Sequence, residues 1–240
     1  MESKCNLCAL FGEKPHCHNC KIINKTVMRP AQEIDCSLEE LVAYINENED
    51  VSEKLTVGDY KSIELATGEV VKLILLDTQK DKLADETGFA RTTWGILTTD
   101  NGFFDMNEQN TNRGGFRDCK MRNVYLPRYL TTLPEILRQN IKPVLKKTSA
   151  GCGSSEIITT TDKLFLFSEV EMFGDAQYSY AGEGEQYEYF CTRNNRSFNR
   201  YTWLCSPYRG NNAYFVGTYG GGLGYSYAND RCALALGFSI

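Results

Sequence analysis

Histidine is almost absent from this chain: two residues in 240, His16 and His18. Everything downstream of residue 18 therefore lacks an imidazole, which removes Ser–His and Cys–His nucleophilic catalysis from the bulk of the protein. Positive charge is short as well. Lys and Arg total 26 against 31 Asp and Glu, a formal net charge of -5. No global positive field gathers phosphate backbones, which argues against generic nucleic-acid binding. No apolar run approaches the roughly 18 residues needed to span a bilayer. The opening MESKCNLCALFGEKPH has no apolar signal segment, so the chain is expected to be made and folded in a cytosol. There is no internal repeat, and no EF-hand spacing around Asp81, Asp85 and Glu86, which leaves those carboxylates as weak calcium candidates.

Cysteine, in contrast, is abundant, with ten residues. A disulfide scaffold suits small secreted chains with little core, whereas 240 residues hold a large domain of their own. The placement is also uneven. Cys5, Cys8, Cys17 and Cys20 form C-x2-C-x8-C-x2-C, while Cys36, Cys119, Cys152, Cys191, Cys205 and Cys232 stand singly. Two knuckles brought together give the tetrahedral four-sulfur shell that structural zinc prefers, with His16 and His18 as substitute ligands beside Cys17. The spacing predicts a compact zinc-knuckle module over residues 1–30. Its closed shell has no open position for catalysis.

A linker helix is expected over 31–54. Ser37-Leu38-Glu39-Glu40 matches a capping box, and Leu38, Leu41, Val42 and Ile45 fall at helical spacing. From residue 55 the pattern becomes strand-like: LTVGDYKSIEL, a Thr67-Gly68-Glu69 turn, then VVKLILLD, which reads as a hairpin. Trp94 to Leu97, Ile141 to Lys147 and Lys163 to Phe167 are further strands, and 117–139 reads as two short helices parted near the prolines. Strands, helices and strands without βαβ alternation predict an α+β class. Glu169 with Glu171, and Glu183 with Glu185, are expected to be solvated charge rather than acid/base pairs.

Beyond Gly174 the chain turns aromatic, Gly-rich and Asn-rich, and WLCSPYRGNNAYFVGTYGGGLGYSYAND (203–230) has the composition of an antibody paratope. Tyr offers a large amphipathic contact with only two torsions to fix, and Asn, Ser and Gly supply adaptable hydrogen bonds. Long loops on a rigid sheet are expected here. Trp203, Phe215 and Phe238 are assigned to the framework core by their apolar bulk.

Several landmarks occur in order: GGFRD at 114–118 leading to Met121-Arg122, TTDKLFLFSE at 160–169, Trp203-Leu204-Cys205-Ser206-Pro207, and the closing Gly237-Phe238. Together they resemble a bacterial and phage domain family ending in W-L-R-S-P, a variable stretch and G-V-x-P-x-F. The same ending looks like that of the variable proteins of diversity-generating retroelements. Here Cys205 replaces Arg, and CALALGF stands in place of the last motif.

The resemblance spans about residues 55 to 240. It implies a C-type-lectin-like domain, related to formylglycine-generating enzymes, with a variable region at about 190–232. It makes Asn195, Tyr201, Tyr208, Arg209, Asn211, Asn212, Tyr214, Tyr219, Tyr225, Tyr227 and Asn229 candidate ligand contacts. The function the resemblance implies is display of a binding face toward a protein or glycan, without catalysis, in a chain incorporated in a phage virion. Two alternatives remain open: a copper- or thiol-dependent oxidase using Cys191 and Cys205, and a zinc-ribbon adaptor acting through residues 1–30.

Overall fold

The structure is a computed structural model that describes residues 29–97 and 103–240. Contacts divide the chain into two units, Met1–Pro30 and Ala31–Ile240. The expected zinc ligands Cys5, Cys8, Cys17 and Cys20, with His16 and His18, lie outside the described residues.

Helix α1 (Leu38–Glu47) begins as the sequence predicts. The Ser37 hydroxyl accepts the Glu40 amide, and the Glu40 carboxylate accepts the Ser37 amide. Leu41, Val42 and Ile45 are buried in the main hydrophobic cluster, so the helix expected as a linker is built into the core of the second unit. Strands β1 (Tyr60–Glu64) and β2 (Val70–Thr78) form the expected antiparallel hairpin, and β3 (Thr92–Ile96) pairs with β2.

Residues 115–140 hold short helical pieces: α2 (Gly115–Asp118), a π turn (Met121–Tyr125), α3 (Leu126–Leu130) and α4 (Glu135–Asn140). Pro134 directly precedes α4, while Pro127 sits inside the continuous run from the π turn into α3, in which Tyr125 and Leu126 keep right-handed helical backbone. Only one of the two prolines therefore breaks the helical run.

Strands β4 (Val144–Gly151) and β5 (Ser154–Asp162) form a two-stranded sheet. The sequence reading omits β5, although its Ile-Ile-Thr-Thr-Thr run is rich in β-branched residues. The strand expected over 163–167 is only β6 (Phe165–Leu166). After α5 (Glu169–Phe173), which Ser168 caps, two short 3-10 turns cover Glu188–Cys191 and Arg193–Arg196.

The tail is the largest departure from expectation. In place of loops over 208–229 it forms β7 (Thr202–Pro207), β8 (Tyr214–Tyr219) and β9 (Gly222–Tyr227), followed by β10 (Ala233–Leu234) and β11 (Leu236–Ser239). The Gly220-Gly221 pair, with φ of 57° and 78°, closes the β8–β9 hairpin.

The class is thus α+β and mostly strand. One sheet has the order β1-β2-β3-β11-β6 and another β10-β7-β8-β9, in which only the β10–β7 pairing is parallel. The tail's central strands read as unbroken buried runs because both their faces are covered. Trp203 and Phe215 enter one hydrophobic cluster, while Leu204 and Val216, one residue on, enter the other. Trp203, Phe215 and Phe238 are fully buried, and the Trp203 indole N–H donates to the Phe104 carbonyl at 2.7 Å. Among the described residues no helix is long and apolar enough to cross a membrane.

Truncating Trp203 to Ala removes this double-sided packing and is expected to cost about 3–5 kcal/mol, whereas Ser37→Ala, which loses only the cap, should cost about 1 kcal/mol. Urea titration of the two variants checks both values, and equal effects contradict the assignment of Trp203 to the core.

Candidate functional site

The acidic residues expected on the surface are largely inside. Glu169, Glu171 and Glu183 are buried, and only Glu185 is exposed, beside Lys80. Asp81, a weak calcium candidate in the sequence, is buried too. It accepts hydrogen bonds from Lys146 Nζ at 3.1 Å, the Tyr187 hydroxyl at 2.8 Å and the Thr93 hydroxyl at 2.5 Å. Asp85 bonds Thr87 and Glu86 pairs with Lys82, so the three carboxylates are each engaged separately. Among the described residues no group of three or more His, Cys, Asp or Glu gathers to hold a metal.

Lys146 on β4 also pairs with Glu171 on α5, and its ammonium lies 3.9 Å from the Phe165 ring centroid. Burial opposes charge on this ammonium, and Asp81 and Glu171 more than offset it, so its pKa is raised. Burial likewise opposes ionisation of Asp81, but Lys146 and the hydroxyl donors prevail and its pKa is lowered. At Glu171 burial wins over Lys146, and the pKa is raised. Lys146 therefore pairs with both carboxylates, and Glu171, despite its close contact with the ammonium, is the one on which desolvation prevails.

Glu169 and Glu183 act next to this network. The Glu169 carboxylate accepts the amides of Gln177 (2.7 Å), Tyr178 (3.0 Å) and Ser179 (2.6 Å). It thereby fixes a loop whose irregular backbone would otherwise lack partners. Glu183 accepts the Ser149 amide at 2.9 Å and the Ser206 hydroxyl, and burial pushes its carboxyl up to about 7. Ser206 connects the two acids, because its oxygen also accepts the Glu169 amide at 2.8 Å.

The loop clamped by Glu169 presents Tyr178 to a face made by the tail. Tyr208 and Tyr225 stack with centroids 4.2 Å apart and planes 9° apart. Tyr178 meets both edge-on, at 5.8 and 5.5 Å. Tyr214 lies 5.3 Å from Tyr225 and 4.5 Å from Tyr227. Register explains the clustering: Tyr214 pairs with Tyr227 and Val216 with Tyr225, so these side chains share one face of the β8–β9 hairpin. Tyr225 and Tyr227 are 44% and 46% exposed, enough to meet a partner while resting on the sheet. A hydrogen bond with Tyr227 raises the Tyr214 hydroxyl to about 12, so this phenol is neutral at physiological pH and both donates and accepts.

Asn112, fully buried, holds the turn between β7 and β8. Its Nδ2 lies 3.2 Å from the Tyr208 carbonyl, 3.2 Å from that of Asn211 and 2.8 Å from that of Tyr214, while its Oδ1 accepts the Cys152 amide at 2.8 Å. Gly151 makes room for it: a Cβ there would stand 1.8 Å from the Asn112 carbonyl oxygen, at a φ of 75° that L side chains avoid.

Of the expected contacts, the structure brings Tyr208, Tyr214, Tyr225 and Tyr227 together, with exposed Arg209 beside them. The Arg209 amide donates to the Tyr178 carbonyl at 2.9 Å. Asn211 and Asn212 are exposed in the β7–β8 turn, and Asn229 follows β9 with its amide 3.4 Å from Asn110 Oδ1. Tyr219 is exposed at the hairpin tip on the opposite face, because five residues separate it from Tyr214.

Asn195 sits in a 3-10 turn, bonded to the Tyr189 carbonyl at 2.8 Å, in a separate cleft of about 500 Å3 with Asn194, Phe198 and Asn199. Tyr201 belongs to the framework rather than to a contact surface. It packs edge-on against Trp203 and occupies the space left by Gly217 and Gly224, where added Cβ atoms would approach its ring to 2.3 Å and its hydroxyl to 2.9 Å. The two oxidase candidates occupy different environments: Cys191 is exposed on a 3-10 turn, and Cys205 is buried in β7 with its pKa raised by burial.

Sequence reasoning missed Tyr178, Asn112 and the clamp formed by Glu169. Tyrosine enrichment already begins at Tyr178 and Tyr180, so the first was within reach. Asn112 and Glu169 act over distances that carry no local pattern.

Two outcomes follow for the buried charges. Lys146→Ala strands Asp81 and Glu171 without their cation and should cost about 3–5 kcal/mol, as measured by chemical denaturation. Glu183 is raised in the folded state above its unfolded value, so its contribution to stability is fully present below about pH 4.5 and is lost as pH rises through about 7. Wild type should therefore lose on the order of 3 kcal/mol relative to Glu183→Gln between pH 4.5 and 8. Parallel pH dependences in the two proteins contradict this.

Searches of curated proteins and of solved structures found no match to the chain. A family profile matches residues 92–237, from the start of β3 to Gly237 in β11, and so takes in Asn112, Lys146, the buried Glu169, Glu171 and Glu183 and the whole tyrosine face, but not Asp81. On that match the chain belongs to the family described as Domain of unknown function (DUF6273).

Proposed function

We propose that this protein is a binding protein whose tyrosine face, carried by β8 and β9 and completed by Tyr178 and Tyr208, recognises the surface of a protein or glycan. The observation that carries the proposal is the clustering of five tyrosines on one side of a clamped hairpin, with two of them about half exposed. Rigid, amphipathic phenols lose little conformational entropy on binding and hydrogen-bond in either sense. Arg209 at the rim adds a cation able to meet a carboxylate or to stack on an aromatic group.

The resemblance to variable proteins of diversity-generating retroelements supports the same function. It would make the tail a C-type-lectin-like binding surface whose Tyr and Asn codons are rewritten while the framework is kept. The division of labour in the tail suits such use, because Trp203, Tyr201 and Phe215 pack inward while Tyr214, Tyr225 and Tyr227 do not. A nearby near-copy of the tail's coding sequence that differs at adenines would support this origin. Binding, not catalysis, is the proposed activity, and structural zinc on Cys5, Cys8, Cys17 and Cys20 remains part of the proposal.

A screen of the full-length protein against glycan and protein arrays tests the binding proposal. Hits should weaken about tenfold or more in Tyr225→Ala and Tyr227→Ala, as expected for aromatic anchors, while both variants keep stability within about 1 kcal/mol of wild type. Binding that is indifferent to both substitutions, or their marked destabilisation, contradicts it. Elemental analysis should find one zinc per chain, lost in the Cys5→Ser, Cys20→Ser double variant, and metal-free wild type defeats the zinc proposal.

A further inference from the structure

An exposed strand edge is a row of unpaired amides and carbonyls, which pairs with other chains unless charge, proline, shortness or a cover prevents it. Most sheet edges of this protein are guarded in that way. β1 carries Lys61 and Glu64, and the segment 32–34 bridges its start, with the Ile34 amide 2.8 Å from the Tyr60 carbonyl. β6 and β10 are two residues long and buried. β5 carries Glu156 and gives its Thr161 carbonyl to Arg122 at 3.1 Å. β9, the outer strand of its sheet, has none of these devices. No residue from Gly210 to Asn229 is charged, and none is proline.

Register decides which groups of β9 are free. The Ala228 amide donates to the Ala213 carbonyl at 2.8 Å, and Tyr214 lies opposite Tyr227. An antiparallel ladder alternates from there, so Ser226, Gly224 and Gly222 exchange hydrogen bonds with β8, while Tyr227, Tyr225 and Leu223 turn their amides and carbonyls outward. Asp230 takes both groups of Tyr227: its carboxylate accepts the amide at 3.0 Å, and its own amide donates to the carbonyl at 2.8 Å. Among the described residues, neither the amide nor the carbonyl of Leu223 or Tyr225 has a partner. The free edge is therefore short and centred on Gly224. The Gly220-Gly221 turn closes it at one end and Asp230 at the other.

Such an edge is complementary to itself. Two copies placed antiparallel about Gly224 set Leu223 of each opposite Tyr225 of the other, so that every free amide meets a free carbonyl. The side chains agree with this register. Opposed residues share a face, and half-buried Leu223 meets the ring of Tyr225, which is 44% exposed beyond its stack on Tyr208. On the other face Gly224 meets its own counterpart and Ser226 meets Gly222, so nothing bulky stands between the strands. With no charge along β9, copies of a chain of net charge -5 meet here without local repulsion.

We propose that β9 is a self-association edge, pairing antiparallel with β9 of a second copy of this chain about a two-fold axis beside Gly224 and joining two four-stranded sheets into one. The axis runs perpendicular to the sheet, so the tyrosines of both copies lie on the same side, and Leu223 of each copy borders the face of the other. The paired form presents two faces at a fixed spacing, which multiplies affinity for a repetitive target. The pairing itself does not depend on what the tyrosine face binds. The interface is small, and association is correspondingly weak and concentration-dependent.

The test follows the full-length protein from micromolar to millimolar concentration by sedimentation and by amide hydrogen exchange. The mean mass should climb from one chain toward two. The Leu223 and Tyr225 amides should gain protection in step with it, while those of Gly224 and Ser226 stay protected throughout. In a mixture of labelled and unlabelled protein, isotope-filtered NOEs should connect the Gly224 α-protons of two copies. Leu223→Pro deletes an outward amide and leaves the ladder to β8 whole, so it should weaken self-association about tenfold or more. Should that variant lose the contact between Val216 and Tyr225, the wild-type exchange and filtered NOEs decide alone. A chain that stays monomeric at millimolar concentration overturns the proposal, as does a dimer in which the Leu223 and Tyr225 amides exchange freely. Protection of these amides only when a protein hit from the array screen is added, in a chain that remains monomeric, also overturns it and assigns the edge to a strand of that protein.

Discussion

The buried ammonium of Lys146 is the constraint on which the rest of the structure depends. It joins β4 to the Asp81 segment ahead of β3 and to α5, while Tyr187, Thr93 and Ser239 complete the polar shell. A lysine and two acids taken out of water are tolerated only with each other and with such donors present. Their meeting therefore fixes the relative positions of elements far apart in sequence. The hydrophobic clusters give the unit its bulk, but apolar contacts do not by themselves specify a single arrangement. Here the ion pair and its hydroxyls link the Asp81 segment between β2 and β3 to the last strand.

Specification passes outward from that network through α5. Glu171 faces Lys146, and Glu169, two residues earlier, collects the amides that set Tyr178. Asn112 does the equivalent for the β7–β8 turn with a single amide side chain. Both are buried polar groups with their hydrogen-bonding capacity used on backbone, which makes each expensive to disturb. The tyrosines they position are held mainly through backbone and register.

The capping box of α1, the β1–β2 hairpin, the α+β class and the framework roles of Trp203, Phe215 and Phe238 were legible in the sequence. Each is written in local pattern or in apolar bulk. The tail was expected to form loops, and it forms strands instead. Gly-Leu-Gly-Tyr-Ser-Tyr has poor intrinsic strand character and becomes a strand only because β8 offers it a partner, and Gly224 within it, with Gly217 of β8, accommodates Tyr201 at close range.

The buried acids were misread for a related reason. A carboxylate is assigned to the surface by default, and the sequence does not reveal that Lys146, Ser206 or three consecutive amides wait for it. Tyr201 shows the converse error: composition alone does not distinguish a tyrosine offered to a partner from one filling the gap above two glycines.

The division between a fixed frame and a replaceable face is tested most directly by replacing Tyr214, Tyr225 and Tyr227 with Ser together and recording cross-strand NOEs. The frame should hold, with contacts between residues 214 and 227 and between 216 and 225 retained and the Trp203 indole still bonded to Phe104. Loss of those pairings, or a hairpin that melts ahead of the core, would show that the tyrosines build the fold they were taken to decorate.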